Sequence, residues 1–175
     1  MERVLDSLVV LLVRLHLNGF YWGDVSLSNT LFRRDAGIYA AYLVDAETGR
    51  FYDNLSDRSR EYDVSLGAMN IIGELMDLQA GGLVNADIDV TAIGDYLEQR
   101  YQDLWNDLTG SERIPADEIW RVGARAERLG QLGFDIGQVD IESDEDGDFS
   151  SFPTPRGRGG AFSASRKRFN WFGSS

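Results

Sequence analysis

Over most of the chain before residue 138, apolar positions recur at helical spacing, broken by a short stretch of strand-like pattern. Val4, Leu5, Leu8, Leu11, Leu12 and Leu15 form a stripe that predicts a helix over 2–17, stopped by Asn18-Gly19. A loop with Phe20-Tyr21-Trp22-Gly23-Asp24 follows. Two short apolar runs, Thr30–Arg33 and Ala40–Val44, then flank Asp35-Ala36-Gly37, a turn-type cluster that predicts a β-hairpin. Residues 46–57 read as loop, with Thr48-Gly49 and Asp53-Asn54 as turn signals. A second helix is predicted from about Ser59 to Gln79, with Leu66, Met69, Ile72, Leu75 and Met76 on its apolar face and Gly81-Gly82 at its end. Gly67 and Gly73 inside it each cost about 1 kcal/mol relative to Ala. A third helix is predicted from about Asp89 or Thr91 to Leu108, with Ile93, Tyr96, Leu97, Tyr101, Leu104, Trp105 and Leu108 on one side. The fourth starts after Pro115 and ends near Gly130 or Gly133. Two hairpin strands and four helices make a helix-dominated α+β fold.

Beyond about Asp140 the periodicity is lost. Asp140–Asp148 is an acidic run, and Ser150–Ser175 is rich in Gly, Ser, Pro and Arg. One unit over 1–137 followed by a disordered tail over 138–175 is the expected organisation. Asp144, Asp146 and Asp148 have a spacing slightly like a calcium loop. Residue 155 is Pro where such a loop needs Glu, so a solvated linker is the reading. The tail's Arg156, Arg158, Arg166, Lys167 and Arg168, with Phe169, Trp171 and Phe172, could touch nucleic acid or a membrane surface. A bland tail is the simpler account. Trp105 and Trp120 sit on helical apolar stripes and are read as core.

Composition narrows the function classes. A length of 175 residues suits one domain with a real core. A net charge of −12 leaves no basic face for a phosphate backbone, so no nucleic-acid partner is expected. The absence of cysteine excludes disulfides and thiolate metal sites. The apolar run Leu8–Val13 is too short to span a bilayer, and Asp6 and Arg14 flank it. A cytoplasmic soluble protein is expected.

The hairpin suggests the chemistry. If its runs fold back around Gly37, Asn29 and Asp45 fall opposite one another at the open end. Adjacent strands lie roughly 4.8 Å apart, so an amide oxygen and a carboxylate can share one hard cation. Mg²⁺ suits such a site, since it takes oxygen ligands and keeps waters and substrate phosphates as the rest. Asp24, just before the hairpin, would face the same point as a base or positioning group.

The run Leu15-His16-Leu17-Asn18-Gly19-Phe20-Tyr21-Trp22-Gly23-Asp24-Val25-Ser26-Leu27-Ser28-Asn29 resembles the catalytic loop of the protein-kinase-like superfamily. There a helix ending in Leu-His and a Gly leads to His-Arg-Asp or His-Gly-Asp, with Asn five residues past the Asp. Leu43-Val44-Asp45 looks like the strand and metal-binding Asp of the Asp-Phe-Gly position. Tyr62-Asp63-Val64-Ser65-Leu66-Gly67 is similar to the start of the buried central helix of the C-lobe. The compact spacing and Asp45-Ala46-Glu47 point to atypical kinases of the lipopolysaccharide-kinase-like, RIO-like and aminoglycoside-kinase-like groups. A family of bacterial proteins with a lipopolysaccharide-kinase-like core joined to a domain of unknown function is the nearest resemblance. It covers residues 2–80 by motif and 90–137 by helical character alone.

This resemblance implies an Mg-ATP-dependent phosphotransferase that moves the ATP γ-phosphoryl group to a hydroxyl acceptor. Asp24 would orient or deprotonate that hydroxyl, Asn29 and Asp45 would hold Mg²⁺, and Glu47 would be a second metal ligand. His16 and Asp63 would brace the loop. Read without the resemblance, His16 is a core histidine and Asp63 simply favours the helix's first turn. Two departures stand out. Trp22 occupies the usual His position, so that brace is absent or replaced by stacking. There is no Gly-rich phosphate loop and no lysine before Lys167. The N-lobe of a parent protein is therefore expected to be missing and this chain alone to be inactive. A non-catalytic binding or regulatory module derived from the same fold is the alternative, and a helical protein with an acidic metal pocket is a third.

Overall fold

Glu2–Leu17 form α1, whose buried stripe of Leu5, Leu8, Val9, Leu12, Val13 and His16 repeats every three to four residues. Gly19 ends it at φ +74°, where a side chain would also run into the Tyr52 carbonyl. The Tyr52 N–H returns a 2.8 Å bond to the Gly19 carbonyl. The structure is a computed structural model that describes residues 1–35, 37–134, 136–143 and 149–155. Its fold is a helix-dominated α+β arrangement of four helices with small antiparallel sheets. It divides into two compact units, Met1–Leu104 and Trp105–Ser175. The sequence predicts one unit over 1–137.

In the first unit, β1 (Phe20–Tyr21) pairs with β4 (Arg50–Phe51), Phe20 opposite Phe51. Both strands of this small sheet fall where loop is expected. Between its strands lies the predicted hairpin, β2 (Thr30–Asp35) and β3 (Ile38–Leu43), in an unbroken register from Thr30↔Leu43 to Asp35↔Ile38. Gly37 at φ +87° turns the chain back. The sheet is held to the helix by contact between α1 and β3.

Ser56 caps α2 (Asp57–Ala80), its hydroxyl accepting from the Ser59 N–H at 3.1 Å. The buried stripe of α2 is Arg60, Asp63, Val64, Gly67, Ala68, Ile71 and Leu75. This corrects the predicted face, of which Leu75 alone is fully buried, while Met69 and Met76 are 60% and 53% exposed. The inward stripe includes charged side chains with hydrogen-bond partners, so hydrophobicity alone mislocates it.

The two glycines of α2 differ in kind. A Cβ on Gly67 would sit 2.7 Å from Val25 Cγ1 and 2.8 Å from Val25 Cβ, whereas Gly73 has nothing within 4 Å. Gly73→Ala is expected to raise stability by about 0.5–1 kcal/mol. Gly67→Ala gains the same helix propensity but overpacks a fully buried valine, at about 1–3 kcal/mol, so a net loss is expected. Urea midpoints of the two variants, moving in opposite directions, check this.

Asp89 caps α3 (Val90–Thr109), its Oδ1 accepting from the N–H groups of Thr91 and Ala92 at 3.0 and 3.2 Å. Val90, Leu97, Tyr101, Leu104 and Leu108 are its buried positions. Among the described residues no helix is long and apolar enough to cross a membrane.

The second unit contains β5 (Glu112–Ile114), a 3₁₀ turn over Ala116–Glu118, α4 (Trp120–Gln131), β6 (Ile136–Ser143) and β7 (Phe149–Pro155). Its sheet is antiparallel in the order β5-β7-β6, and α4 packs on β6. Arg125 of α4 donates to the carbonyls of Asn106, Asp107 and Gly110, satisfying the C-terminal end of α3. Trp120 is 64% exposed and not core, and Trp105 is half-buried. Strands lie where the tail was expected to lack structure. The alternation of Val139 and Ile141 with polar neighbours is a strand signal that the acidic composition hides. The Asp144–Asp148 spacing and the basic, aromatic segment from Arg156 onward lie outside the described residues.

Candidate functional site

The segment Trp22–Asn29 connects β1 to the hairpin and has no ladder of its own, so its backbone groups need other partners. α2 supplies them from a single stripe spaced four, three and four residues apart: Asp63, Gly67, Asn70 and Glu74. Asp63 accepts the Trp22 N–H at 2.8 Å and the Gly23 N–H at 2.7 Å. Gly67 lets Val25 approach, and the Asn70 amide donates to the Val25 carbonyl at 3.1 Å. Glu74 accepts the Leu27 N–H at 2.7 Å and the Ser28 N–H at 3.0 Å. The segment is thus bolted at both ends by a carboxylate that takes two consecutive amides. Within the loop, Ser26 Oγ accepts the Asn29 N–H at 3.2 Å, and the Thr30 hydroxyl donates to the Ser26 carbonyl at 2.7 Å.

Asp63 is fully buried, and His16 Nε2 lies 3.0 Å from its Oδ2. With Asp63 as a carboxylate, Nε2 carries the bridging hydrogen, and Nδ1 accepts from the Tyr101 hydroxyl at 2.6 Å. Burial pushes the Tyr101 phenol well above its ordinary range, partly offset by the Arg60 guanidinium, so the phenol remains a donor. The Arg60 guanidinium carbon also lies 5.6 Å from the centre of the Tyr101 ring. α2 begins at Asp57, which puts Asp63 nearly two turns in, beyond the reach of a first-turn dipole effect. Its bonds are those of a loop brace.

Above this base, Asn29 Nδ2 donates to the Asp24 carboxylate at 2.8 Å and to the Asp24 carbonyl at 3.2 Å. Both amide hydrogens are thereby used, and Asn29 Oδ1 accepts no hydrogen bond among the described residues. The Val44 N–H donates to the Asn29 carbonyl at 3.1 Å, which sets Asp45 one residue past Asn29's partner at the open end of the hairpin. Trp22 joins the two strands of the site. Its indole N–H donates to the Asp45 carbonyl at 3.1 Å, and its own carbonyl accepts the Thr48 hydroxyl at 2.7 Å. The expected loss of a brace at Trp22, or its replacement by stacking, is therefore corrected: a hydrogen bond is there. Asp45 Oδ1 accepts the Glu47 N–H at 2.9 Å, forming a local turn. Glu47 itself is exposed on that turn.

Thus Asp24 and Asn29 meet directly, Asp45 is tied to the same loop through backbone, and Glu47 joins only through its backbone N–H. Among the described residues no three His, Cys, Asp or Glu side chains cluster to hold a metal ion, so Asp24, Asp45 and Glu47 do not form a carboxylate cage. Asn29 Oδ1, Asp45 Oδ2 and Asp24 Oδ1 are hard oxygens that accept no hydrogen bond among the described residues, the donor chemistry that a cation such as Mg²⁺ takes. Two protein oxygens, completed by water and phosphate, are an ordinary Mg²⁺ donor set. Asn70 and Glu74 are the residues that sequence reasoning misses. Their shared helical register with Asp63 and Gly67 was the available signal.

Residues 103–159 match the family model described as a domain of unknown function (DUF4032). No curated protein matches the chain. The matched segment begins inside α3 and lies entirely after the loop, the hairpin and α2.

Proposed function

We propose that the Met1–Leu104 unit is the catalytic-loop half of a kinase-like, Mg-ATP-dependent phosphotransferase acting on a hydroxyl acceptor. The observation that carries this reading is the buried Asp63 carboxylate holding the two amides directly before Asp24, while Asn29 reaches back to Asp24. That arrangement spends a fully desolvated carboxylate on fixing the two backbone amides that lead into Asp24, which is what positioning for phosphoryl transfer demands. Asp24 keeps one carboxylate oxygen without a donor among the described residues, and it serves as the group that orients the acceptor hydroxyl and takes its proton. Asn29 and Asp45 would hold Mg²⁺, which when bound neutralises charge on the transferred phosphate. The acceptor oxygen forms the new bond to γ-phosphorus, the bond to the β-phosphate oxygen breaks, and ADP leaves with its electron pair. A cytoplasmic setting, where ATP is supplied, goes with this reading.

The test uses Mn²⁺ with ATP added to the whole chain. Paramagnetic broadening is expected at the amides around Asn29 and Asp45, to be reversed by Mg²⁺. Asp45→Asn is expected to abolish it without changing the melting temperature. Broadening that is the same in wild type and Asp45→Asn would sink the reading. A second reading, a nucleotide-binding module without turnover, is favoured by the lack of any lysine before Lys167. Bound Mg-ATP with no ADP formed in the presence of candidate hydroxyl compounds would select it.

A further inference from the structure

From the pairing of Glu74 with two consecutive loop amides, we infer that Glu74 is a positioning residue for the metal site, setting where Asn29 Oδ1 lies without touching the metal. The inference rests on the metal reading above. Asp63 anchors the loop two residues upstream of Asp24, but it cannot fix the far end, which is five residues further along the chain. There the backbone is held by Glu74, through the Leu27 and Ser28 N–H groups at 2.7 and 3.0 Å. Ser28 is the residue immediately before Asn29. Charge-assisted bonds of this length are stronger than neutral ones and restrict both peptide planes. Rotation of the Leu27–Ser28 segment would swing the Asn29 side chain off Asp24 and move its Oδ1 with it. Asn70, on the Val25 carbonyl at 3.1 Å, limits the same rotation from the middle of the loop.

Glu74→Gln is the test, because it keeps size and one acceptor while turning an N–H₂ group toward one of the two amides. Mn²⁺ alone is titrated into the whole chain, and exchange of the Leu27 and Ser28 amides is followed by NMR. The variant is expected to weaken Mn²⁺ about tenfold, the usual scale for a group that orients a ligand from behind, and to speed exchange at both amides. Ile71→Val, which trims a buried methyl group from the same helix, lowers stability and is expected to leave Mn²⁺ affinity unchanged. If Glu74→Gln binds Mn²⁺ like wild type while Asp45→Asn does not, the inference fails and the proposed function stands. Equal weakening by Ile71→Val would also overturn it, reducing Glu74 to a general stabiliser. If wild type and Asp45→Asn bind Mn²⁺ alike, the metal reading falls and takes this inference with it.

Discussion

Replacing Asp63 by Ala is expected to cost about 3–5 kcal/mol, toward the lower end of what three orphaned donors would lose separately. Three donors lose their acceptor together: His16 Nε2–H and the N–H groups of Trp22 and Gly23. Each buried donor left unsatisfied costs about 1–3 kcal/mol, and partial relaxation of the loop keeps the total below the plain sum. Asp63→Asn retains one oxygen but opposes an N–H₂ group to the remaining donors, so a smaller loss is expected. Urea denaturation followed by tryptophan fluorescence measures both, since Trp22 is fully buried beside the lost carboxylate. The magnitude also decides between roles. A charge that merely favoured a helix terminus would be worth about 0.3–1 kcal/mol, and a loss confined to that range would refute the bracing role.

The features most legible in the sequence were those where pattern and turn chemistry agree. In α1, apolar spacing and the Asn18-Gly19 stop coincide, and the predicted span is the observed one. The hairpin was legible because two short apolar runs flank a Gly that the turn requires at positive φ. α2 was found but its buried face was misread, because Arg60 and Asp63 point inward and methionines point out. Hydrophobic periodicity has no means of detecting a stripe that is buried for its hydrogen bonds. Asn70 and Glu74 were missed for the same reason: their helical register puts them on one face with Asp63 and Gly67, but it does not say that their partners are backbone atoms of a loop more than forty residues earlier. The β1–β4 sheet was missed because a two-residue strand has no period to read.

Trp22→Ala is expected to cost a further amount of similar size, about 3–5 kcal/mol, as for other buried aromatic truncations. Trp22 is the largest of the fully buried side chains among the described residues, and three of its polar groups are engaged: the amide with Asp63, the carbonyl with Thr48 and the indole with Asp45. Truncation leaves a cavity and an Asp45 carbonyl without its donor. Trp22→Phe separates these effects, because it keeps most of the volume and removes the N–H, at about 0.5–1.5 kcal/mol for the hydrogen bond. If the indole's role is to hold Asp45 in line with the loop, Trp22→Phe weakens Mn²⁺ binding more than its small stability loss suggests. Trp22→Ala keeps the backbone N–H that Asp63 accepts, but Trp22→Ala and Asp63→Ala loosen the same stretch of loop, so they are expected to combine less than additively. Far-UV circular dichroism in urea, which does not depend on the removed fluorophore, reads wild type and every variant alike. A Trp22→Ala midpoint equal to that of Trp22→Phe would show that the cavity contributes little to the loss and overturn this expectation.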